Sequence, residues 1–349
     1  MSGQVEVPRE VEDGPATTRL DRLGRPLRDV RISVTDRCNF RCTYCMPRAS
    51  FGPGHAFLPR SATMTAGEIV RLGSVLLRLG VGKIRLTGGE PLLRGDLDEI
   101  VAGLSAAGVS DLALTTNGSL LSRWAMRLRS AGLHRLTVSL DTLDPGVHAR
   151  LSDSGVPLAT VLGGIDAALA AGFAPVKLNA VIRRGVNQAS ILPLADYARR
   201  GGHTLRLIEY MDVGESNAWN QAEVVPAAEM LATVAARYPL EPAPRRDPAD
   251  VAQRYRFQDG GGEIGIIASV TQPFCGACTR LRVSADGRLH TCLFSGTGTD
   301  LLSALRSGDD DDLEQLLTRV WGVRADRYSE ERGQPHGELR RIEMSYIGG

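Results

Sequence analysis

Six short stretches of the chain alternate apolar and polar residues with a period of two, and the segments between them carry apolar residues with a period near 3.6. The period-two stretches are 31–36, 83–87, 111–116, 135–141, 176–182 and 204–211. The first helical stretch is signed at both ends. Thr65 can cap it, Glu68 can close a capping box, Ile69, Leu72, Val75, Leu76 and Leu79 form one apolar stripe, and Gly80 stops it. Stretches 119–130, 159–170 and 190–200 read likewise, each running up to a glycine, and 226–238 closes the series. Strands alternating with helices in this order predict parallel βα units joined by right-handed crossovers, which is an α/β fold.

Strands covered by helices on both faces read as near-continuous apolar runs. These do not. Arg31, Ser33 and Thr35 alternate with Ile32 and Val34; Lys83, Arg85 and Thr87 with Ile84 and Leu86; Thr137, Ser139 and Asp141 with Leu136, Val138 and Leu140; Lys177 and Asn179 with Val176 and Leu178. The apolar set must face the helices and the polar set an inner surface. Unpaired arginine and lysine are costly in a dry interior, so the inner surface is expected to hold a large, polar, anionic ligand. A closed eight-stranded barrel fills its centre with apolar layers. An incomplete, open (βα)6 barrel of TIM-like type therefore fits better, the alternative being an open sheet whose polar face meets water.

Further on, the Pro- and charge-rich segment 241–250 reads as a linker or irregular crossing. Short strands at 253–257 and 263–269, a cysteine loop, a hairpin turning at Asp286-Gly287, and helices near 300–306 and 311–320 follow. The acidic run 309–312 is an exposed turn whose charges favour a helix start. The expected division is a barrel over 1–245 and a C-terminal α+β domain over 246–349 that covers the open side.

A chain of 349 residues can build one large and one smaller domain without disulfide staples. Its first residues have neither a basic start nor an apolar run, and no stretch approaches the roughly 18 apolar residues of a membrane span. The expectation is a cytoplasmic protein with no membrane partner. A net charge of +1 argues against a broad nucleic-acid surface. Nearly all basic residues are arginine, and the only lysines, Lys83 and Lys177, both fall on the inward strand faces.

All six cysteines fall into two triads: Cys38, Cys42 and Cys45, then Cys275, Cys278 and Cys292. Thiols spaced this closely in a long cytosolic chain are metal ligands or redox groups more often than disulfides. Thiolates suit iron and zinc alike, and spacing by itself leaves both open. Each triad is one ligand short of closing a four-iron cluster, which would leave one iron able to bind something else. The first triad directly follows the first strand, where barrel loops present active-site groups.

The CxxxCxxC spacing within TDRCNFRCTYCMP, with LTGGEPLL, TTNG and TVSLD at later strand ends, resembles the radical S-adenosylmethionine superfamily. The resemblance implies a [4Fe-4S] cluster on Cys38, Cys42 and Cys45 whose free iron chelates S-adenosylmethionine, cleaved after one-electron reduction to a 5′-deoxyadenosyl radical. It implies cofactor contacts from Gly89 and Glu90 at the methionine end, where Gly88 and Gly89 would let the backbone come close. It also implies contacts from Thr116, Asn117 and Ser139 to carboxylate and ribose, and from Tyr44 near the adenine.

Over nearly its full length the chain further resembles the GTP 3′,8-cyclase family of molybdenum cofactor biosynthesis. The stretches that carry this are RDVRISVTDRCNFRCTYCMP, KIRLTGGEPLLR, VKLNAVIRRGVN, LRLIEYMDVG, FCGACTRLRVSADGRLHTCLF and MSYIGG. The resemblance implies a second [4Fe-4S] cluster on Cys275, Cys278 and Cys292 that anchors the purine, and GTP contacts from Arg31, Lys83, Arg85, Lys177, Arg206, Arg280 and Arg282. The implied reaction removes hydrogen from C3′ of the ribose, joins C3′ to C8 of guanine, and adds an electron and a proton. Arg31, Lys177, Gly348 and Gly349 are the implied catalytic set, the last two on a tail that inserts toward the site. The implied partners are a reducing electron donor, a downstream cyclic pyranopterin monophosphate synthase and, since the family is often dimeric, a second copy of the chain. No GxxxxGK[ST] loop occurs, so GTP would be a substrate and not a hydrolysed energy source. Two other readings stand beside this one: a radical enzyme that modifies peptides with an auxiliary cluster, and a zinc protein that binds nucleotide or RNA without catalysis.

Overall fold

The computed structural model describes residues 19–247, 249–333 and 341–348. All six period-two stretches are strands, each hydrogen-bonded in parallel to the next: β1 (Asp29–Ser33), β2 (Lys83–Thr87), β3 (Asp111–Thr116), β4 (Arg135–Ser139), β5 (Lys177–Ile182) and β6 (Thr204–Glu209). Helices α1 (Ala66–Arg78), α2 (Leu97–Ala106), α3 (Leu121–Ser130), α4 (Pro145–Ser152), α5 (Leu158–Ala170), α6 (Ile191–Arg200) and α7 (Ala227–Ala235) occupy the crossovers and the stretch after β6. Thr65 and Glu68 form the reciprocal capping box at the start of α1. The sequence pattern did not single out α2 and α4. α2 nonetheless buries the stripe Leu97, Ile100, Val101 and Leu104, spaced at the helical period, and α4 is set by Pro145 at its first turn and by Asp144, which accepts from Val147 N.

The C-terminal part joins the same sheet. β9 (Glu263–Ile267) pairs in parallel with β6 at one edge, and β10 (Arg280–Val283) with β1 at the other. Antiparallel strands extend both edges: β8 (Gln253–Phe257) and β7 (Leu240–Ala243) beyond β9, β11 (Arg288–His290) and β12 (Thr299–Asp300) beyond β10. The order is β12-β11-β10-β1-β2-β3-β4-β5-β6-β9-β8-β7, and it does not close. The chain between β9 and β10, which carries Cys275 and Cys278, lies at the opening. Helices α8 (Leu302–Ser307), α9 (Asp310–Gly322) and α10 (Met344–Ile347) complete an α/β barrel that is incomplete, with an α+β C-terminal part. One expectation fails here: the supposed linker 241–250 begins as a strand. Pro242 sits opposite Tyr255 in the outermost strand β7, where a missing N–H is tolerated.

The alternation sorts the faces. Ile32, Ile84, Leu86, Val138 and Leu178 are fully buried in one continuous apolar core together with Ile69, Leu72, Val75 and Leu76 of α1, while the alternate polar residues turn inward. Helix α5 reaches the sheet through a glycine: a Cβ on Gly164 would lie 2.5 Å from the carbonyl oxygen of Gly118, in the loop after β3. Backbone cannot swing aside as a side chain can. Gly164→Ala is therefore expected to destabilise the protein by about 1–3 kcal/mol in denaturant unfolding, despite the gain of up to about 1 kcal/mol in helix propensity.

Candidate active site

The parallel register lines charges up in rows across neighbouring strands. One row reads Arg280, Asp29, Lys83, Asp111 across β10, β1, β2 and β3, with signs alternating. The next inward row reads Arg282, Arg31, Arg85 across β10, β1 and β2, all cationic. Like charges directly opposite one another are destabilising. In the first row Lys83 pairs with Asp29, and Arg135 pairs with Asp111 from β4. The second row has no carboxylate: among the described residues Arg85 donates only to the hydroxyls of Thr115 (3.0 Å) and Thr137 (3.1 Å), and Arg31 Nε is buried without a partner.

Electrostatics records the imbalance. Burial, with Arg280 and Arg85 nearby, pushes Arg31 down to about 9, and Arg282 falls well below its ordinary value for the same kind of reason. Burial takes Lys177 down to about 6, with Arg206, Arg135, Arg85 and Lys83 adding repulsion. In register Lys177 stands between Thr137 and Thr204, and no carboxylate pairs with it among the described residues. Asp29, which burial would raise, is instead held at about 2 by Lys83, Arg31 and Arg85.

Three joined cavities follow the strands from one end to the other. At the C-terminal ends, a space of about 1140 Å³ is lined by Cys38, Cys42, Cys45, Tyr44, Gly88, Gly89, Thr116, Asn117, Ser139 and Asp141. It meets a space of about 1050 Å³ at Thr115, Asn179, Ile208 and Met211, lined by Cys275, Cys278, Cys292, Arg31, Arg85, Arg206, Arg280 and Arg282. Arg85 and Arg206 border in turn on a more open space of about 1540 Å³ at the N-terminal strand ends, where Lys83, Lys177 and Arg135 stand. Asn179 Oδ1 and Ser269 Oγ on these walls are buried without hydrogen-bond partners, as is Arg31 Nε, so the walls offer both acceptors and donors to a ligand.

Around the first triad the backbone is tightly interlocked. A Cβ on Gly88 would lie 2.3 Å from Thr35 O, and one on Gly89 2.2 Å from Arg37 O. These glycines are thus required for packing the turn after β2 against the cysteine loop, and both also line the cavity. Glu90 is fully buried and does not line the cavity. Its carboxylate accepts from Thr116 Oγ1 (2.7 Å), Asn117 N (2.7 Å) and Leu92 N (3.0 Å), tying the turn after β2 to the turn after β3. Asn117 Nδ2 reaches Cys38 Sγ at 3.9 Å and Phe40 N reaches it at 3.4 Å, donors of the kind a metal-bound thiolate accepts. Burial raises the thiols of Cys38, to about 11, and of Cys42 and Cys45. Since the thiolate is the ligand form, metal binding here releases protons. The donor set fits an iron–sulfur cluster: three thiols on one cavity wall beside polar groups suited to an exchangeable ligand. Among the described residues no three His, Cys, Asp or Glu side chains converge on one ion; the thiolates of a cluster need not, since each binds a different iron.

At the second triad the charge environment is opposite. Burial would raise Cys278, but Arg280 and Arg324 bring it down to about 6, and Arg280 NH2 lies 3.5 Å from its sulfur. Cys292 is instead pushed by burial to about 11, with Asp326 adding to the rise. The tail comes in from the side: Tyr346 Oη donates to Asp286 (2.6 Å to Oδ2), and Glu343 accepts from Glu215 N and Ser216 N (3.0 Å each). Gly348 O accepts from Arg282, and a Cβ on Gly348 would lie 2.0 Å from Thr87 Cγ2. Gly349 lies outside the described residues.

The expected cofactor residues Tyr44, Gly89, Thr116, Asn117 and Ser139 come together at one cavity and Glu90 stands behind it. Of the seven expected cations, Arg31, Arg85, Arg206, Arg280 and Arg282 line the middle cavity, and Lys83 and Lys177 the outer one. Sequence reasoning gave no role to Asp141, although its inward period was legible. Its carboxyl, pushed by burial to about 6, accepts from Tyr44 Oη (2.7 Å) and Val181 N (2.8 Å). Asn179 was likewise seen only as an inward residue, and Arg324 and the Asp21–Arg25 pair were missed because Asp21 meets Arg324 303 positions away and Arg25 meets Cys275 250 positions away.

Glu90→Gln tests the tie between the two turns. An amide NH2 would face Asn117 N–H or the other donors, costing about 1–3 kcal/mol for the misplaced group. The expected result is a lowered melting temperature, with S-adenosylmethionine binding weakened in calorimetry although the side chain does not line the cavity.

Residues 32–198 match the radical SAM superfamily and residues 203–330 the family described as Molybdenum Cofactor Synthesis C. The chain is 55% identical to the GTP 3′,8-cyclase of Acidothermus cellulolyticus, across 94% of this chain and 98% of that one. It is 48% identical to the GTP 3′,8-cyclase of Xanthomonas axonopodis pv. citri, with the same coverage of each. Among solved structures, Streptococcus suis SuiB bound to S-adenosylmethionine aligns with a TM-score of 0.60 at 15% identity, covering 84% of this chain and 68% of that one, a likeness of fold. With thiols after β1, the interlocked turns after β2 and β3, and these relatives along almost all its length, the chain belongs to the GTP 3′,8-cyclase family of the radical S-adenosylmethionine superfamily.

Proposed function

We propose that this protein converts GTP to (8S)-3′,8-cyclo-7,8-dihydroguanosine 5′-triphosphate, the first step of molybdenum cofactor biosynthesis. The observation that carries the reading is the uncompensated row Arg282, Arg31, Arg85, set between two thiol triads in joined cavities. A polyanion relieves that repulsion, and charge-assisted hydrogen bonds from several guanidinium groups hold it in one pose. A peptide substrate offers these cations no comparable density of negative charge.

In this reading Cys38, Cys42 and Cys45 would hold one [4Fe-4S] cluster and Cys275, Cys278 and Cys292 another, the second toward the purine. The chemistry supplied by the first, with S-adenosylmethionine bound, is a 5′-deoxyadenosyl radical that takes hydrogen from C3′. Thr116, Asn117, Ser139 and the Tyr44–Asp141 pair orient the cofactor, with Glu90 positioning the turns. Arg31, Lys83, Arg85, Lys177, Arg206, Arg280 and Arg282 contact GTP, the uncompensated row lying toward its triphosphate. Held at both ends, C3′ and C8 are close enough to bond before another hydrogen donor intervenes. Gly348, wedged between Thr87 and Arg282, helps exclude water. Closing the new bond consumes one electron and one proton, hence a reducing donor, and the product passes to cyclic pyranopterin monophosphate synthase. A cytoplasmic setting and a homodimer belong to the same reading.

Anaerobic incubation of the reconstituted protein with GTP, S-adenosylmethionine and dithionite should yield the cyclised nucleotide by mass. Cys38→Ala should abolish cofactor cleavage, whereas Cys278→Ala should keep slow uncoupled cleavage and lose product; product from both variants would overturn the assignment. A pH test follows from Lys177. Its ammonium, at about 6 in the free protein, must rise toward its ordinary value beside a triphosphate. GTP binding at pH 7.5 should therefore take up a proton, and affinity should fall as pH rises above about 6, by at most tenfold per unit. Titration calorimetry in two buffers of different ionisation enthalpy reads the uptake, and Lys177→Ala should lose it while any titration of the nucleotide itself persists.

A further inference from the structure

Behind the second thiol triad lies a buried charged unit that reaches the cavity only through Arg324 and Asp326. Asp21 has a fully buried side chain, and Arg25 and Arg324 are each 2% exposed. Arg25 Nε donates to Asp21 Oδ2 at 2.6 Å and Arg324 NH1 to the same oxygen at 3.1 Å. The other carboxylate oxygen accepts from Leu23 N and Arg25 N, both at 2.9 Å. One carboxylate from before β1 thus joins two guanidinium groups 299 residues apart in sequence.

The remaining donors of the two arginines point at one target. Arg25 NH1 donates to Cys275 O at 2.8 Å. Arg324 NH1 donates to Cys278 O at 2.8 Å, and Arg324 Nε to Thr291 O, the carbonyl preceding Cys292, at 3.0 Å. Every cysteine-bearing stretch of the second triad is therefore held by its backbone, and the two stretches 13 residues apart are held by one guanidinium. Arg324 is itself fixed over the Trp321 ring at 4.5 Å, and Trp321 Nε1 donates to Arg25 O. Asp326 Oδ2, 3.4 Å from Arg324 Nε, is the further carboxylate at the unit, and Arg25 NH1 also reaches Asp326 O.

From this geometry we infer that Asp21, Arg25 and Arg324 form a clamp that positions the second triad for its iron–sulfur cluster, an inference that rests on the two-cluster reading. A planar guanidinium can bridge two carbonyls and a carboxylate at once, and an ammonium cannot. Groups that orient metal ligands from behind typically change metal affinity by about 10–100-fold when removed. None of the three is a catalytic residue. Arg25 and Arg324 hold the backbone of the ligand stretches, Arg324 also lies against the Cys278 thiol, and Asp21 acts through both arginines, so the loss of any of them is felt at one cluster and not at the other.

The test measures iron release from the reconstituted full chain to a ferrous chelator, in two backgrounds that isolate the sites. Cys38→Ala leaves the second triad intact and Cys278→Ala the first. Asp21→Asn, nearly isosteric, should speed release from the second site by roughly 10–100-fold and leave the first unchanged. Arg324→Lys, which keeps the charge, should behave like Arg324→Gln. Equal acceleration at both sites would reveal a general loss of stability and overturn the clamp, as would no acceleration, or wild-type release from Arg324→Lys. Should Asp21→Asn not accumulate as folded protein, the Arg324 pair carries the same test. About four irons per wild-type chain would overturn the two-cluster reading and this inference with it, whereas eight irons held equally by wild type and variants would overturn the clamp alone.

Discussion

Three guanidinium groups abreast on adjacent strands, with no carboxylate in their row, are the constraint around which the rest of this molecule is arranged. A fold cannot place Arg282, Arg31 and Arg85 side by side for stability's sake, because burial and mutual repulsion both act against it. The neighbouring row shows what a self-sufficient arrangement looks like: Arg280, Asp29, Lys83 and Asp111 alternate in sign and the strands gain from it. Two rows one strand period apart thus differ in whether the strands themselves supply the counter-charge. The apolar faces of the same strands, packed against α1 and its neighbours, must supply enough stabilisation to hold the unbalanced row in place.

The open barrel follows from that constraint. Closing the sheet on itself would bury the cationic row without a counter-charge, whereas a sheet of eight parallel strands that stays open between β9 and β10 gives an anion a way in. The opening is also where Cys275 and Cys278 enter, so the second triad and the cations share one cavity. The first triad occupies the C-terminal strand ends, and Asn179 and Thr115 form the seam between the two spaces. The ends of the chain finish the enclosure. The segment before β1 reaches behind the second triad through Asp21 and Arg25, and the last helix brings Gly348 against Thr87 and Arg282.

Rigid backbone contacts position the chemistry more than side-chain reach does. Gly88 and Gly89 meet the carbonyls of Thr35 and Arg37, Gly164 meets that of Gly118, and Glu90 binds two turns from behind. The signature glycines and glutamate thus act as fasteners between loops, and the groups facing the cavity are mostly the small polar residues beside them. That division explains how a single barrel end can present thiols, hydroxyls and amides with little freedom to move. Such preorganisation is what a radical reaction needs, since an intermediate that waits finds the wrong hydrogen.

Much of this was legible in the chain alone, because local chemistry repeats locally. A two-residue period assigns each strand residue to a face, so the inward cations, the buried apolar partners and the capping of α1 could all be read directly. Cysteine spacing picked out two thiol triads because ligands must be close in space and here are close in sequence. Register is different. Which cation stands beside which depends on how strands pair, and only the folded sheet shows that Lys83 has Asp29 while Arg31 has other arginines. Pro242 in an edge strand, Glu90 behind the wall and Asp21 joined to Arg324 were hidden for the same reason. Sequence determines what each residue can do, and tertiary structure decides what it must do it with, since long-range neighbours leave no local period to read.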